Sequence, residues 1–184
     1  MAQGASSANS AEQVALQRGQ EALKQGNIPA AQKEFEKAVR LAPNDPLAQG
    51  ALGWVLAQEG QPETAITHLH AALRVKPGYV EARLTLASTL AQQGKTAEAE
   101  QEARRAVKEA PSNAEAHRTL ARILAQHPGD EALSEMRRAV ELAPQRPDLA
   151  DEFGTILAQR NQFAEAAGAF KEAIRLQPDL ASAH

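Results

Sequence analysis

Histidines, arginines and carboxylates are the side chains through which this sequence could do chemistry, and their spacing limits each of them. There are five histidines, His68, His70, His117, His127 and His184. Side chains two residues apart on a helix point to different faces, so His68 and His70 cannot share a metal ion. His117 and His127 fall near the two ends of one helical segment and its turn. All five therefore read as surface histidines rather than ligands. Arg118 and Arg122 lie four apart, on one helical face, and could receive a carboxylate or phosphate from a ligand. Asp148, Asp151 and Glu152 occupy equivalent sites on the first helical segment of the next repeat and could neutralise both arginines instead, which is the stronger expectation. Most other carboxylates sit beside basic residues, as in Glu34 to Lys37 and Glu102 to Arg105, the pattern of solvated helix faces.

Catalytic and cofactor signatures do not emerge. The chain has no glycine loop ending in Gly-Lys-Ser/Thr, no dinucleotide fingerprint and no Gly-x-Ser-x-Gly elbow. It has no cysteine, which excludes disulfides, thiolate catalysis and cysteine-ligated metals. No enzyme activity, cofactor or metal is expected. Twenty basic and 23 acidic residues are mixed along the chain with a net charge of -3, leaving no basic patch for nucleic acid. No apolar stretch approaches the roughly 18 residues of a membrane span. Residues Met1 to Ser10 are small and polar, and read with Ala11 as a flexible arm. The arm lacks the basic start and apolar run of a secretory signal. The compartment stays open: cytoplasmic, or periplasmic or secreted if a signal peptide has been removed.

The elements that must position these residues are helices. Hydrophobic residues make up 43% of the chain but aromatics only 3%, so alanine and leucine, both helix formers, carry the apolar content. Self-similarity recurs at about 34 residues, a period of helix–turn–helix repeats. Pro43, Pro77, Pro111, Pro144 and Pro178 mark it, at intervals of 34, 34, 33 and 34 residues. Five residues before each stands Ala38, Ala72, Ala106, Ala139 or Ala173. Twelve before stands Ala31, Ala65, Ala99, Ala132 or Ala166. Repeats of 12–45, 46–79, 80–113, 114–146 and 147–180 follow, and residues 181–184 resemble the start of another.

Each repeat holds two helical segments separated by a breaker: Gly26-Asn27, Gly60-Gln61-Pro62, Gly94-Lys95, His127 to Asp130, and Arg160 to Gln162. The residue missing from the fourth repeat is expected in its Pro128-Gly129 turn, which tolerates a deletion that a helix interior would not. First segments carry a large–small–large set, Leu52, Gly53 and Leu56 in the second repeat and Phe153, Gly154 and Leu157 in the fifth. The small member lets the paired helix approach. Phe35, Leu69, Met136 and Phe170 fill one large site in the second segments, where the third repeat has Ala103.

These motifs resemble the tetratricopeptide repeat family over residues 12 to 180. The resemblance implies an all-α, right-handed α-solenoid of five tandem helix–turn–helix repeats, whose first helices line a concave groove. It also reveals departures. Ala15, Gln49, Arg83, His117 and Ala150 stand where the family often has a large aromatic, which implies looser packing of single repeats, and Arg18 replaces a leucine in the first.

The resemblance places Leu16, Gln20, Leu23, Trp54, Gln58, Leu84, Ser88, Gln92, Arg118, Arg122 and Gln126 in the groove. Trp54, the single tryptophan, lies outside the packing set, so it serves either as a binding anchor or as extra core. Some family members clamp a chaperone's terminal carboxylate with cationic groove residues. The matching positions here, Leu16, Gln20, Ala51, Glu81 and Thr85, supply no cation. The expected function is a non-catalytic adaptor that holds a peptide or helix of a partner protein. Two alternatives stand beside it. One is self-association, for example a homodimer, through the last helix at Phe163, Phe170 and Ile174. The other is service as the binding part of a longer, even enzymatic, protein.

Overall fold

The computed structural model describes residues 2–125 and 129–179, with residues 2–10 described through their backbone alone. Expectations for Gln126, for His127 and Pro128 of the fourth turn, for His184 and for a further repeat at 181–184 lie outside the described residues. All regular structure among the described residues is helical: α1 (Ala2–Lys24), α2 (Ile28–Leu41), α3 (Pro46–Gln58), α4 (Pro62–Val75), α5 (Val80–Gln92), α6 (Thr96–Glu109), α7 (Ala114–Leu124), α8 (Glu131–Leu142), α9 (Pro147–Gln159) and α10 (Phe163–Leu176). None of the helices searched is long and apolar enough to cross a membrane.

Local chemistry sets the boundaries. Gly26, Gly60 and Gly94 adopt φ of 70°, 71° and 73° in the turns after α1, α3 and α5, and Asn161 does the same at 60° after α9. Asparagine is the side chain that best tolerates this left-handed conformation after glycine. Asn27, Asp45 and Asn113 cap α2, α3 and α7, accepting hydrogen bonds from the backbone N–H groups of Ala30, Ala48 and Ala116. Such caps satisfy donors that the first helical turn leaves unpaired. In place of the arm expected over residues 1–11, the backbone from Ala2 onward is helical and continuous with α1. No proline interrupts this segment, and its alanines and glutamines let a helix propagate backward from the packed turns.

Packing divides the chain into two compact units, Met1–Lys95 and Thr96–His184, where the sequence reads as one array. In the first, α1 pairs with α2 and α3 with α4, α2 lies on α3, and α5 packs against both α3 and α4. In the second, α7 pairs with α8 and α9 with α10, α6 lies on α7, and α8 on α9.

Within each helix pair the core follows one volume rule. A Cβ built on Gly53 would lie 2.7 Å from Leu69 Cγ, and one on Gly154 would lie 2.7 Å from Phe170 Cε1. Gly19 meets the Phe35 ring still more closely. Where α7 has Ala121 instead, the residue opposite in the same core cluster is the unbranched Met136, which adapts its shape to the space left. Close helix approach is thus set by trading volume across the pair.

A candidate partner-binding cleft

An open cleft of about 220 Å³ lies in the first unit, built by α1, α3 and α5. Gln20 and Leu23 enter it from α1, Ala51 and Trp54 from α3, and Tyr79, Glu81 and Thr85 from the turn before α5 and its first two turns. The tyrosine ring rests on the backbone of α3, because a Cβ at Gly50 would stand 2.6 Å from Tyr79 Cε1. Burial raises the Tyr79 phenol above its usual range, and the carboxylates of Glu81 and Asp45 push the same way. The Lys76 ammonium sits 4.8 Å from the ring centroid. Thr85 Oγ1 donates to the Glu81 carbonyl at 2.9 Å, while the Glu81 carboxylate makes no ion pair with any described residue. Trp54, the largest ring in the chain, is 38% exposed.

Of the groove positions expected from sequence, Gln20 and Trp54 meet in this cleft, together with Leu23. Leu16 is half-buried and packs on the cluster of Ala15, Ala38 and Ala48. Leu84 requires a correction: it is buried at 8% exposure, so it belongs to the interior rather than to the groove surface. Its position matches that of Gly50 one repeat earlier, and an aliphatic side chain there gains more from the core than from water. Gln58 and Gln92 are exposed and Ser88 is half-buried, all outside the lining of this cleft.

In the second unit Arg118 is occupied. Its Nε donates to Glu152 Oε2 at 3.0 Å, and Nη1 lies 3.3 Å from Glu115 and 3.4 Å from Asp148. Arg146 joins the cluster, 2.9 Å from Glu115 and 2.5 Å from Asp148. The hydrogen bond from Arg146 holds the Asp148 carboxyl below its usual range, with a further contribution from Arg118. Asp151 is not among the partners. Arg122 is exposed and makes no ion pair with a described residue. Phe163 on α10 is 64% exposed, whereas Phe170 and Ile174 are half-buried against the Ala150–Ala173 cluster.

Sequence reasoning missed a polar device at the positions where the family's aromatic is lacking. Gln49 Nε2 donates to the Pro43 carbonyl at 2.7 Å, Arg83 Nη2 donates to the Pro77 carbonyl, and His117 Nε2 donates to the Pro111 carbonyl at 3.0 Å. Each side chain ties its first helix to the proline turn six residues back. Gln49 Oε1 then lies 2.6 Å from His68 Nδ1, so His68 must carry its proton on Nδ1. Burial lowers the His68 pKa, opposed by a smaller effect of Glu36. In the fourth repeat, Glu135 Oε2 takes the corresponding place 2.6 Å from His117 Nδ1.

His117, read above as a surface histidine, is therefore buried at 7% exposure, fixed by acceptors on both ring nitrogens. Among the described residues no group of three His, Cys, Asp or Glu could hold a metal. His117→Ala strands the Pro111 carbonyl and is expected to cost about 1–2 kcal/mol. His117→Gln should cost less, because Gln49 makes the same bond two repeats earlier. Urea unfolding of both variants checks this, and equal losses would remove the role given to the carbonyl.

Two models described as tetratricopeptide repeat match residues 16–80 and 56–123 and together cover more than half of the chain. No curated protein sequence matches. Among solved structures, the fold resembles TTC0263, a thermophilic TPR protein of Thermus thermophilus, with TM-score 0.82 at 20% identity, covering 94% of this chain and 95% of that one. It also resembles MamA from Desulfovibrio magneticus RS-1, with TM-score 0.75 at 20% identity and coverage of 92% and 97%. YrrB, described as a TPR protein with an unusual peptide-binding site, superposes with TM-score 0.67 at 23% identity, covering 90% and 86%.

Proposed function

The chain belongs to the tetratricopeptide repeat family, and from that premise we propose that it is a non-catalytic adaptor holding a peptide or helix of a partner protein in the cleft around Trp54. The observation that carries this reading is a half-exposed tryptophan set among Leu23, Ala51 and Tyr79 in a concave site. Tryptophan in such a setting is typical of residues that dominate binding energy. A neighbour of the same fold, YrrB, is described by its peptide-binding site, which fits the proposal without specifying a ligand. The absence of any cation from the lining argues against a terminal-carboxylate ligand.

Affinity capture with the native chain and with Trp54→Ala tests the reading, followed by titration of the captured partner's binding segment. The expected loss is about tenfold or more in affinity, with helical circular dichroism unchanged because the ring packs only partly. Undiminished binding by Trp54→Ala would reject the cleft. The self-association alternative rests on the exposure of Phe163. Light scattering that finds a monomer across the concentrations used for binding would remove it.

A further inference from the structure

We propose that the cleft selects a partner segment through a basic side chain, lysine or arginine, which lies against Trp54 and delivers its charge to Glu81. The inference rests on the reading of this cleft as the partner site and adds the chemistry of the ligand. Among the described residues that line the cleft, Glu81 is the one acidic or basic side chain. It is exposed, it lacks an ion pair to any described residue, and its charge together with that of Asp45 already disfavours ionisation of the neighbouring Tyr79. Glu81 thus brings a negative charge to the cleft lining, which attracts a basic ligand group and repels an acidic one.

Aromatic faces add a second attraction. An indole is the strongest of the side-chain rings for a cation, and guanidinium groups stack on it as well. Tyr79 already accepts an ammonium in this way from Lys76. The cleft, at about 220 Å³, is smaller than the roughly 300–1,000 Å³ of a small-molecule site. It suits one long side chain, whose methylenes would lie along Leu23 and Trp54 while its charged end reaches Glu81. Gln20 and the rim can serve the adjoining backbone.

The test uses short fluorescein-labelled synthetic peptide pools of alanine, leucine, glutamine and serine, with one central position fixed as arginine, lysine, norleucine or glutamate. Fluorescence anisotropy is measured on the native chain, Glu81→Gln, Glu81→Lys and Trp54→Ala. The arginine and lysine pools are expected to bind the native chain about tenfold more tightly than the norleucine pool, with the glutamate pool weakest. Glu81→Gln should bring the basic pools close to norleucine, and Glu81→Lys should place glutamate first. All pools should weaken with Trp54→Ala. Equal binding of the pools to the native chain, still weakened by Trp54→Ala, would overturn the basic-ligand inference and keep the cleft. A basic preference that survives Glu81→Gln would overturn the role of Glu81. Failure of every pool to bind at millimolar concentration would overturn both the inference and the cleft.

Discussion

Phe35→Ala is expected to lower the stability of the first unit by about 3–5 kcal/mol, and in that background Gly19→Ala is expected to become stabilising. Phe35 is 1% exposed, and its ring occupies the space where a Cβ on Gly19 would stand. Truncation removes the apolar burial of a full ring and leaves a cavity that the paired helices can only partly close. In the native chain, Gly19→Ala forces the ring aside at about 1–3 kcal/mol. Alanine's better helix propensity returns about 1 kcal/mol of that. Once the ring is gone, only the propensity gain and some filling of the cavity remain, so the sign reverses. Trp54 is the single tryptophan and lies in the same unit, so urea unfolding followed by its fluorescence reads the full double-mutant cycle. A Gly19→Ala penalty equal in both backgrounds would mean that the two residues do not trade volume.

That pairing also marks how much of the fold was legible. Glycine or alanine opposite a large apolar residue is a side-chain pattern, visible in sequence because it repeats with the prolines. The turn residues were legible for the same reason, including Asn161, whose left-handed backbone substitutes for glycine. The bonds of Gln49, Arg83 and His117 were not. Their acceptors are backbone carbonyls, which carry no residue signature, so a polar residue at an aromatic position looked like a packing defect. The clue was the constant separation of six residues from each proline.

At the candidate site, the register of Gln20 and Trp54 could be carried over from the family. The different fates of Gly50, under a tyrosine ring, and Leu84, in the interior, could not. They occupy matching positions, and tertiary packing alone separates them. The acidic partners Asp148 and Glu152 were anticipated for Arg118, whereas Glu115 and Arg146 were not. Glu115 joins Arg118 from the same helix, and Arg146 arrives from the N-terminal cap of α9.

Arg118→Ala is expected to destabilise the second unit by about 2–3 kcal/mol at neutral pH, and the deficit should shrink as the medium is acidified. Breaking a buried ion pair costs about 3–5 kcal/mol. Arg118 is only 18% exposed, but its partners Glu115, Asp148 and Glu152 are 42%, 43% and 27% exposed, so solvent screening reduces the figure. The variant leaves Glu115 and Asp148 with Arg146 and takes from Glu152 its guanidinium partner.

The pH dependence follows from Asp148, whose folded pKa lies below its usual value of about 3.9. A depressed carboxylate pKa contributes stability that is fully present above the unfolded value and is lost as pH falls through the folded one. Arg146 supplies most of that depression and Arg118 a smaller part, so the native chain and the variant should both lose stability below about pH 4. The native chain should lose more, because protonation there also ends the attraction to Arg118. Protonation in the variant instead relieves repulsion within the cluster. Urea unfolding monitored by circular dichroism from pH 7 down to about pH 3 would follow the convergence of the two curves. A deficit that stays constant over that range would assign the effect of Arg118 to the packing of its methylene stem rather than to its charge.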